Sequence, residues 1–322
     1  MKTGKELIVA TKQYAVDNPA KSWRLFLTSL VLYALALTGT ILDIPIAGQI
    51  ACSILAGLLM VRVFVIYHDY EHRAILQGSK LAREFMTFCG MYCLAAPSVW
   101  RSSHDYHHHH NSKLRTAHIG SFPIMTKEAY EQCSRSDRMK YLFARHPLTI
   151  LFGYFFIFFL GMCVFPFFRN PKRHFDCGVS LFMHLGVGFA LTYYVGWQGL
   201  VLFLLVPHFI GSMLGSYLFY AQHNFPAASH QDKVGWTYEG AAMESSSFMK
   251  MNPLMSWFTA NIGYHHIHHL NARIPFYRLP EVMEKMPEVG EPRTTSLNPL
   301  EVYRCLRLKV WDTEQEKMVR LN

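Results

Sequence analysis

Charged residues are scarce in this chain. Asp, Glu, Lys and Arg make up 16% of its 322 residues, whereas hydrophobic residues make up 51%. A typical soluble domain has about 25% charged residues. The shortage argues against an ordinary soluble protein and favours one that lies in a membrane. The formal net charge of +9 predicts either an acidic partner or an unequal distribution of positive charge across a bilayer.

Paired cysteine motifs are also absent. The seven cysteines form no CxxC pair, and most lie in apolar runs, which predicts reduced, buried thiols rather than a disulfide framework. The sequence has no internal repeat and no low-complexity linker, so residues 1–322 are expected to form one domain. The first 24 residues are polar and basic. The apolar run after them is too long for a signal-peptide core, so no cleaved targeting peptide is expected.

Long apolar runs are abundant. A membrane-spanning helix needs about 20 predominantly apolar residues to cross about 30 Å of hydrocarbon. The runs predicted to span are residues 25–42, 46–67, 179–197 and 199–220. Two further runs, residues 85–96 and 148–168, are predicted to be embedded without crossing.

The distribution of Lys and Arg predicts the topology. Residues 68–147 and 221–322 each contain 11 of the 31 basic residues, whereas the turns at 43–45 and 197–199 contain none. Positive charge marks the cytoplasmic side of a membrane protein. The sequence therefore predicts an all-α integral membrane protein with four spanning helices in two hairpins. Residues 68–147 and 221–322 would form a cytoplasmic helical cap. Because this topology accounts for the charge, a nucleic acid partner is not expected.

Histidines form three dense clusters, in HDYEH from His68, HDYHHHH from His104 and GYHHIHHL from Gly263. On a helix, positions i, i+3 and i+4 share one face. The first cluster offers an i, i+4 pair, and each of the others fits the pattern HxxHH in one register. The histidines selected in this way are His68 and His72, then His104, His107 and His108, then His265, His268 and His269. The off-face histidines, His109, His110 and His266, are expected to be surface or supporting groups.

Imidazole is the commonest protein ligand for metals and suits Fe, Zn, Cu and Ni. Eight imidazoles exceed what one metal can accept, so the clusters predict a pair of metal ions. Asp69, Glu71 and Asp105 lie among the histidines and are predicted to accept the free ring N–H groups of the ligands. Isolated His184 and His208 lie in apolar runs and are expected to be hydrogen-bonded core residues.

The motifs HxxxH, HxxHH and HxxHH resemble those of the membrane-bound fatty acid desaturases and their hydroxylase relatives. The stretches WRSSHDYHHHHNSKLRT, YAQHNF and FTANIGYHHIHHLNARIPFYRLPE look most like the acyl-lipid branch that includes the omega-6 (delta-12) desaturases. The resemblance implies a di-iron centre held by the histidines of the three boxes and by one further histidine, which His223 matches. The implied ligands are His68, His72, His104, His107, His108, His223, His265, His268 and His269. Phe219 departs from the stearoyl-CoA branch, in which an Asn at that place supports a metal-bound water.

The resemblance also implies the reaction. The enzyme would use O₂ and two external electrons to introduce a cis double bond into a lipid-linked acyl chain. The side chains at the boxes cannot remove hydrogens from an unactivated methylene pair, so that chemistry would belong to the iron cofactor. The acyl chain of the substrate would lie in an apolar channel of the protein. The candidate residues for the wall of this channel are Trp100, Trp236, Trp257, Phe258 and Tyr264. A separate ferredoxin or cytochrome b5 is the expected donor, because neither His-Pro-Gly-Gly nor CxxxxCxxC occurs in the sequence.

Other readings of the sequence remain open. A hydroxylase or ketolase acting on fatty chains, sterols or carotenoids would share the same iron site. A histidine-rich metal transporter is less expected, because transporters place their ligands near the membrane midplane. The expected location is the plasma membrane of a bacterium, with the endoplasmic reticulum as the alternative.

Overall fold

A computed structural model describes residues 2–116 and 119–321 of the chain. The described part is predominantly helical. Its helices are α1 (Gly4–Thr11), α2 (Pro19–Gly39), α3 (Ile46–Glu71), α4 (Lys80–Tyr92), α5 (Pro97–His110), α6 (Lys127–Gln132), α7 (Arg135–Ala144), α8 (Pro147–Leu151), α9 (Tyr154–Arg169), α10 (Phe175–Tyr194), α11 (Trp197–Ala221), α12 (Tyr238–Ser245), α13 (Pro253–Phe258), α14 (His265–Leu270), α15 (Leu279–Lys285) and α16 (Pro299–Arg307). Short 3₁₀ turns lie at Lys12–Tyr14, Phe276–Arg278 and Pro287–Val289.

Among the described residues, the four helices α2, α3, α10 and α11 are long and apolar enough to cross a membrane. The prediction of an all-α membrane protein with four spanning helices is confirmed. Three of these helices begin before the predicted apolar runs, whereas α3 begins at Ile46, as its run does. Helix α2 starts at Pro19 because the side chain of Asn18 accepts a hydrogen bond from the Lys21 N–H and caps the first turn. The predicted apolar run does not include this first turn, because its residues are polar.

The four long helices form two hairpins whose turns lie at the same end of the bundle. Near these turns, Gln198 Nε2 donates to Gln49 Oε1 at 2.5 Å, and Ser53 Oγ donates to the Leu202 carbonyl at 2.6 Å. Helix α3 packs against both α2 and α11. A Cβ on Gly57 would lie 2.7 Å from Ile210 Cβ, so the glycine allows α3 and α11 to approach closely. Both helices therefore end side by side at the opposite end of the bundle.

The two shorter apolar segments are helical as well. Helix α4 begins earlier than the predicted run 85–96, because Ser79 caps it. Residues 148–168 correspond to α8 and α9, and wide π-type turns occupy Tyr154–Val164. Helix α9 is shorter than the four spanning helices. Its embedding without crossing remains a proposal.

The described part of the cap is mainly helical and also contains four short strands that the sequence does not predict. Strand β1 (Phe248–Lys250) pairs in parallel with β2 (Thr294–Ser296), and β3 (Val310–Asp312) pairs in antiparallel with β4 (Lys317–Val319). The seven cysteines are unpaired, as predicted, but Cys52 and Cys133 are half-buried rather than buried.

Arg145 connects the cap with the spanning helix α11 through hydrogen bonds of its side chain. Its guanidinium is fully buried and donates to the Pro123 carbonyl at 2.8 Å and to the Leu308 carbonyl at 3.2 Å. It also contacts the Tyr220 hydroxyl at 3.3 Å and the Asn224 side-chain oxygen. One side chain thus joins the end of α11, the start of α8 and the C-terminal part of the cap.

Candidate metal centre

Four chain segments bring histidines to the cap end of the bundle. His68 lies on the last turn of α3, and His72 follows that helix. Helix α5 carries the second box, α14 carries the third, and His223 follows the end of α11. All nine histidines that the resemblance implies as ligands converge here, in two compact groups. The members are His68, His72, His104, His108 and His268 in the five-histidine group, and His107, His223, His265 and His269 in the four-histidine group.

In the five-histidine group, the Nε2 atoms face one another. His104 Nε2 lies 2.8 Å from His68 Nε2 and 3.2 Å from His108 Nε2. His68 Nε2 also lies 3.2 Å from His72 Nε2, and His108 Nε2 lies 3.2 Å from His268 Nε2. The five ring nitrogens therefore surround one small volume.

The four-histidine group is centred on His223. Its Nε2 lies 3.1 Å from His107 Nε2 and 2.9 Å from His265 Nε2. Its Nδ1 lies 3.0 Å from the Ser245 carbonyl, so Nδ1 carries the proton and Nε2 presents a lone pair. His269 completes the group, and its ring centroid lies 4.7 Å from that of His223.

These contacts fit metal ligands better than hydrogen bonds between imidazoles. A neutral imidazole has one donor nitrogen and one acceptor nitrogen, so a single Nε2 cannot satisfy several neighbouring Nε2 atoms. Imidazole nitrogens lie about 2.0–2.1 Å from a bound divalent metal, which places neighbouring ligand nitrogens about 3 Å apart. His269 Nε2 is buried, and it has no hydrogen-bond partner in the described part of the chain. The residues therefore fit a pair of metal ions, one in each group.

Burial keeps the candidate ligands of the cap neutral. It lowers the pKa of His223 to about 4, although the Ser245 carbonyl acts in the opposite direction. Burial, together with the neighbouring His223, lowers the pKa of His107 well below its usual value. Burial is likewise the main reason that the pKa of His269 lies far below that of a free histidine. Neutral imidazole is the form that binds metals.

The acidic residues near the boxes have different roles. Asp69 is buried, and its Oδ1 lies 3.4 Å from His68 Nδ1, while its Oδ2 accepts the Phe276 N–H at 2.6 Å. Glu71 instead forms an ion pair with Arg101 at 2.7 Å. Asp105 is exposed on α5. Of the three predicted supporting carboxylates, Asp69 therefore lies beside a candidate ligand, whereas Glu71 and Asp105 face elsewhere.

The off-face histidines divide into two kinds. His109 is exposed and His110 is half-buried, in agreement with a surface position. His266 is fully buried, and its Nε2 donates to the Val289 carbonyl at 3.2 Å. Its side of α14 packs against the cap interior, which the spacing within the box does not reveal. The remaining isolated pair, His184 and His208, is hydrogen-bonded within the core, to the Tyr154 hydroxyl and to backbone carbonyls respectively.

An apolar cavity of about 530 Å³ adjoins the metal centre. It reaches His68 and His104 of the five-histidine group and His265 of the four-histidine group. Trp100 lines it as predicted, but the other four aromatic candidates do not. Trp236 Nε1 donates a hydrogen bond to the Asn111 carbonyl, and the ring of Trp257 lies against the Arg62 guanidinium. Phe258 packs in the core between α2 and α3, and the ring of Tyr264 packs on that of Phe248. The wall is instead formed by phenylalanines from distant segments, including Phe64, Phe122, Phe158 and Phe219.

Phe219, which stands where the stearoyl-CoA branch has an Asn, lies beside the four-histidine group. Its ring centroid lies 4.9 Å from that of His107 and 6.0 Å from that of His223. A hydrocarbon ring at this position cannot hold a water molecule by hydrogen bonding, so the role of the Asn in that branch is absent at this residue.

Four helices long enough to span a membrane, two histidine groups that could each hold a metal ion and an adjoining apolar cavity are the features expected of an integral membrane oxidoreductase that acts on long hydrocarbon chains. The family model for fatty acid desaturase matches residues 45–300. This chain belongs to the fatty acid desaturase family and is an oxidoreductase of that type.

Curated relatives agree with this assignment. A fatty acid desaturase of Bacillus subtilis (strain 168) is 26% identical over 279 residues, which cover 86% of this chain and 79% of the relative. An sn-1 acyl-lipid omega-3 desaturase (ferredoxin) of Nostoc sp. (strain 36) is 24% identical, and the aligned residues cover 77% of this chain and 70% of the relative. A chloroplastic omega-6 fatty acid desaturase of Spinacia oleracea is 24% identical, and the aligned residues cover 86% of this chain and 62% of the relative.

Proposed function

We propose that this desaturase uses O₂ and two external electrons to introduce a cis double bond into an acyl chain carried by a membrane lipid, at a di-iron centre. The observation that carries the proposal is the arrangement of nine histidines, eight of them buried, in two groups beside an apolar cavity that contacts both. Imidazole ligands suit iron. The apolar cavity suits a hydrocarbon substrate.

The two groups would each hold one iron. The five-histidine group would supply His68, His72, His104, His108 and His268, and the four-histidine group would supply His107, His223, His265 and His269. With O₂ and electrons, the bound irons would supply the oxidising power that removes two hydrogens from an unactivated methylene pair.

The protein's own side chains then orient and enclose the reacting groups. The Ser245 carbonyl fixes the ring of His223, and the Asp69 carboxylate lies beside the ring of His68. Trp100 stacks on His104 with ring centroids 4.6 Å apart, and Phe219 covers His107. These aromatic rings separate the ligands from water and guide an acyl chain past both groups.

The electron donor is proposed to be a separate protein. The relatives from Nostoc and Helianthus annuus are acyl-lipid omega-3 desaturases named for ferredoxin, which favours that donor over cytochrome b5. The cap would face the cytoplasm, where an acidic donor could meet its basic residues. The relative from Bacillus subtilis favours a bacterial plasma membrane over the endoplasmic reticulum.

Expression in a host that lacks the activity tests the proposal. New double bonds, located by mass spectrometry in the host's glycerolipids, would support it when they require O₂ and when the purified protein contains iron. A hydroxylated or ketonic product would support the alternative reaction at the same iron site. Zinc in place of iron, with no oxygen-dependent product, would overturn the proposal.

A further inference from the structure

A second apolar pocket opens on the outer surface where the cap meets the embedded segment. It has a volume of about 420 Å³ and lies between the end of α7, helix α8 and the start of α9. Its rim is formed by large apolar side chains, of which Phe143, Leu148 and Phe152 are each about half exposed. The lining also contains one exposed polar residue, His146, and one buried polar residue, Thr149. His146 Nδ1 accepts the Leu148 N–H.

The outer pocket and the cavity beside the metal centre share three residues. Phe143, Thr149 and Phe156 line both. The rings of Phe143 and Phe156 meet edge to face, with centroids 5.3 Å apart and planes at 89°. The two spaces therefore adjoin at these three residues of the described structure. Rotation of a half-exposed phenylalanine requires no backbone movement, and exposed side chains change rotamer in picoseconds to nanoseconds.

The backbone around this division is held firmly. Arg145 lies between Phe143 and the start of α8, and its guanidinium is bonded to the Pro123 and Leu308 carbonyls. Lys309 Nζ donates to the Arg145 carbonyl at 2.6 Å. A fixed backbone with movable aromatic side chains is suited to a gate.

We propose that Phe143 and Phe156 form a lateral gate, through which one acyl chain of a bilayer lipid passes from the outer pocket into the cavity beside the metal centre. This inference rests on the proposed function, since it assigns the entry route of its lipid-linked substrate. The occupant is a lipid acyl chain because the rim is apolar and belongs to segments that continue into the apolar helix α9. Exposed apolar patches mark contacts with a membrane or with another protein, and the continuation of this rim into α9 favours the membrane.

Photolabelling in vesicles tests the gate without requiring turnover. The probe is a phosphatidylglycerol with a diazirine near the end of one acyl chain, diluted into phosphatidylethanolamine–phosphatidylglycerol vesicles that contain the iron-loaded protein. Mass spectrometry gives the ratio of labelling at the cavity wall, around Gly215 and Phe219, to labelling at the exposed face of α10, around Phe182 and Phe189.

Two variants change the passage in opposite directions. Thr149→Trp fills the shared space and is expected to lower the ratio by about tenfold, whereas the matched Thr149→Val keeps the volume and should leave the ratio unchanged. Phe143→Ala removes a half-exposed ring and should raise the initial rate of cavity labelling at least about twofold. The size-exclusion profile and iron content identify any variant that does not fold.

The outcomes separate the gate from the proposed function. Equal ratios in the wild type and in a folded Thr149→Trp protein would overturn the gate, even if desaturation is observed. If Thr149→Trp does not fold, an unchanged labelling rate in Phe143→Ala overturns the gate by itself. A photoreactive acyl-CoA in micelles provides a further test. If it labels the cavity equally in the wild type and in all three variants, the substrate enters from the aqueous side and the gate is overturned. Gated labelling without any desaturated product would leave the gate in place and contradict the proposed function.

Discussion

The imidazole rings of His108 and His269 stack almost in parallel, with centroids 4.1 Å apart and an angle of 13° between their planes. The two residues belong to different histidine groups and to different boxes. The two candidate metal sites therefore share a packed wall, and a change in one group is expected to disturb the other.

Loss of one candidate ligand should remove metal and product together. In His268→Ala, the five-histidine group loses a buried nitrogen that lies 3.2 Å from His108 Nε2. We expect no product, and iron content reduced by about half or more, because a missing ligand weakens a metal site directly. Metal analysis of the purified protein and lipid analysis of the host measure both effects. The exposed His109, changed to Ala, provides the control, and wild-type activity in His268→Ala would show that the ligand assignment is wrong.

Asp69 and Asp105 provide a matched test of support for a ligand. Asp69→Asn replaces the carboxyl group beside His68 Nδ1 with an amide, and we expect metal affinity to fall about 10–100-fold, as is usual when a partner of a ligand is lost. Asp105→Asn alters an exposed residue and should leave affinity unchanged. Competition with a chelator measures the affinity. Equal chelator resistance in the two variants would contradict a supporting role for Asp69.

Two helical glycines distinguish the cavity from the outer surface. A Cβ would meet nothing within 4 Å at either Gly215 or Gly186, but Gly215 lines the cavity and Gly186 is exposed on α10. In Gly215→Leu the new side chain should occupy acyl-chain space, which lowers turnover of long chains by about tenfold. Gas chromatography of host fatty acids measures turnover by chain length. Gly186→Leu should match the wild type, and an equal loss in both variants would contradict the cavity's role.

Lys309 predicts a dependence of stability on pH. Burial, with the nearby Arg145, lowers the pKa of Lys309 from 10.5 to about 8. Between these two values the unfolded chain binds more protons than the folded protein, so stability should rise as the pH is raised from about 8 toward 10.5. Thermal unfolding across this range, with Lys309→Met as the comparison, measures the effect. A Lys309→Met protein whose melting temperature changes with pH as steeply as the wild type's would contradict the assignment.

Electron delivery should depend on ionic strength. If an acidic ferredoxin docks on the basic cap, raising the salt concentration from about 0.05 M to about 0.5 M should slow turnover, since salt screens the attraction between exposed charges. The rate of product formation with excess ferredoxin at each salt concentration provides the measurement. A small chemical reductant serves as the control and should show little change. Equal salt dependence with both reductants would argue against electrostatic docking.

The spanning helices could be predicted because apolar length is a local property of the sequence. The four runs were found, although α2 starts at Pro19 rather than residue 25. Its beginning depends on a polar cap, which hydropathy does not detect. The strands of the cap could not be predicted, because β1 and β2 are three residues each and pair across a long separation in the chain.

The candidate ligands could be selected, but their surroundings could not. The helical period distinguishes His265, His268 and His269 from His266, yet it leaves the burial of His266 open. That burial arises from packing of α14 against the segment that contains Val289. Of the five aromatic candidates for the cavity wall, Trp100 lines the cavity and the other four pack elsewhere. Which aromatic residue faces a cavity depends on contacts between distant segments.

The sequence by itself determined the spanning helices and the faces of the histidine boxes, because both follow from the regular geometry of single helices. The tertiary structure decided that the nine histidines divide into groups of five and four. It places His107 with His223 rather than with its neighbour on the same helix, His108. That division depends on where α3, α5, α11 and α14 cross, and helix crossing is set by packing between segments far apart in the chain.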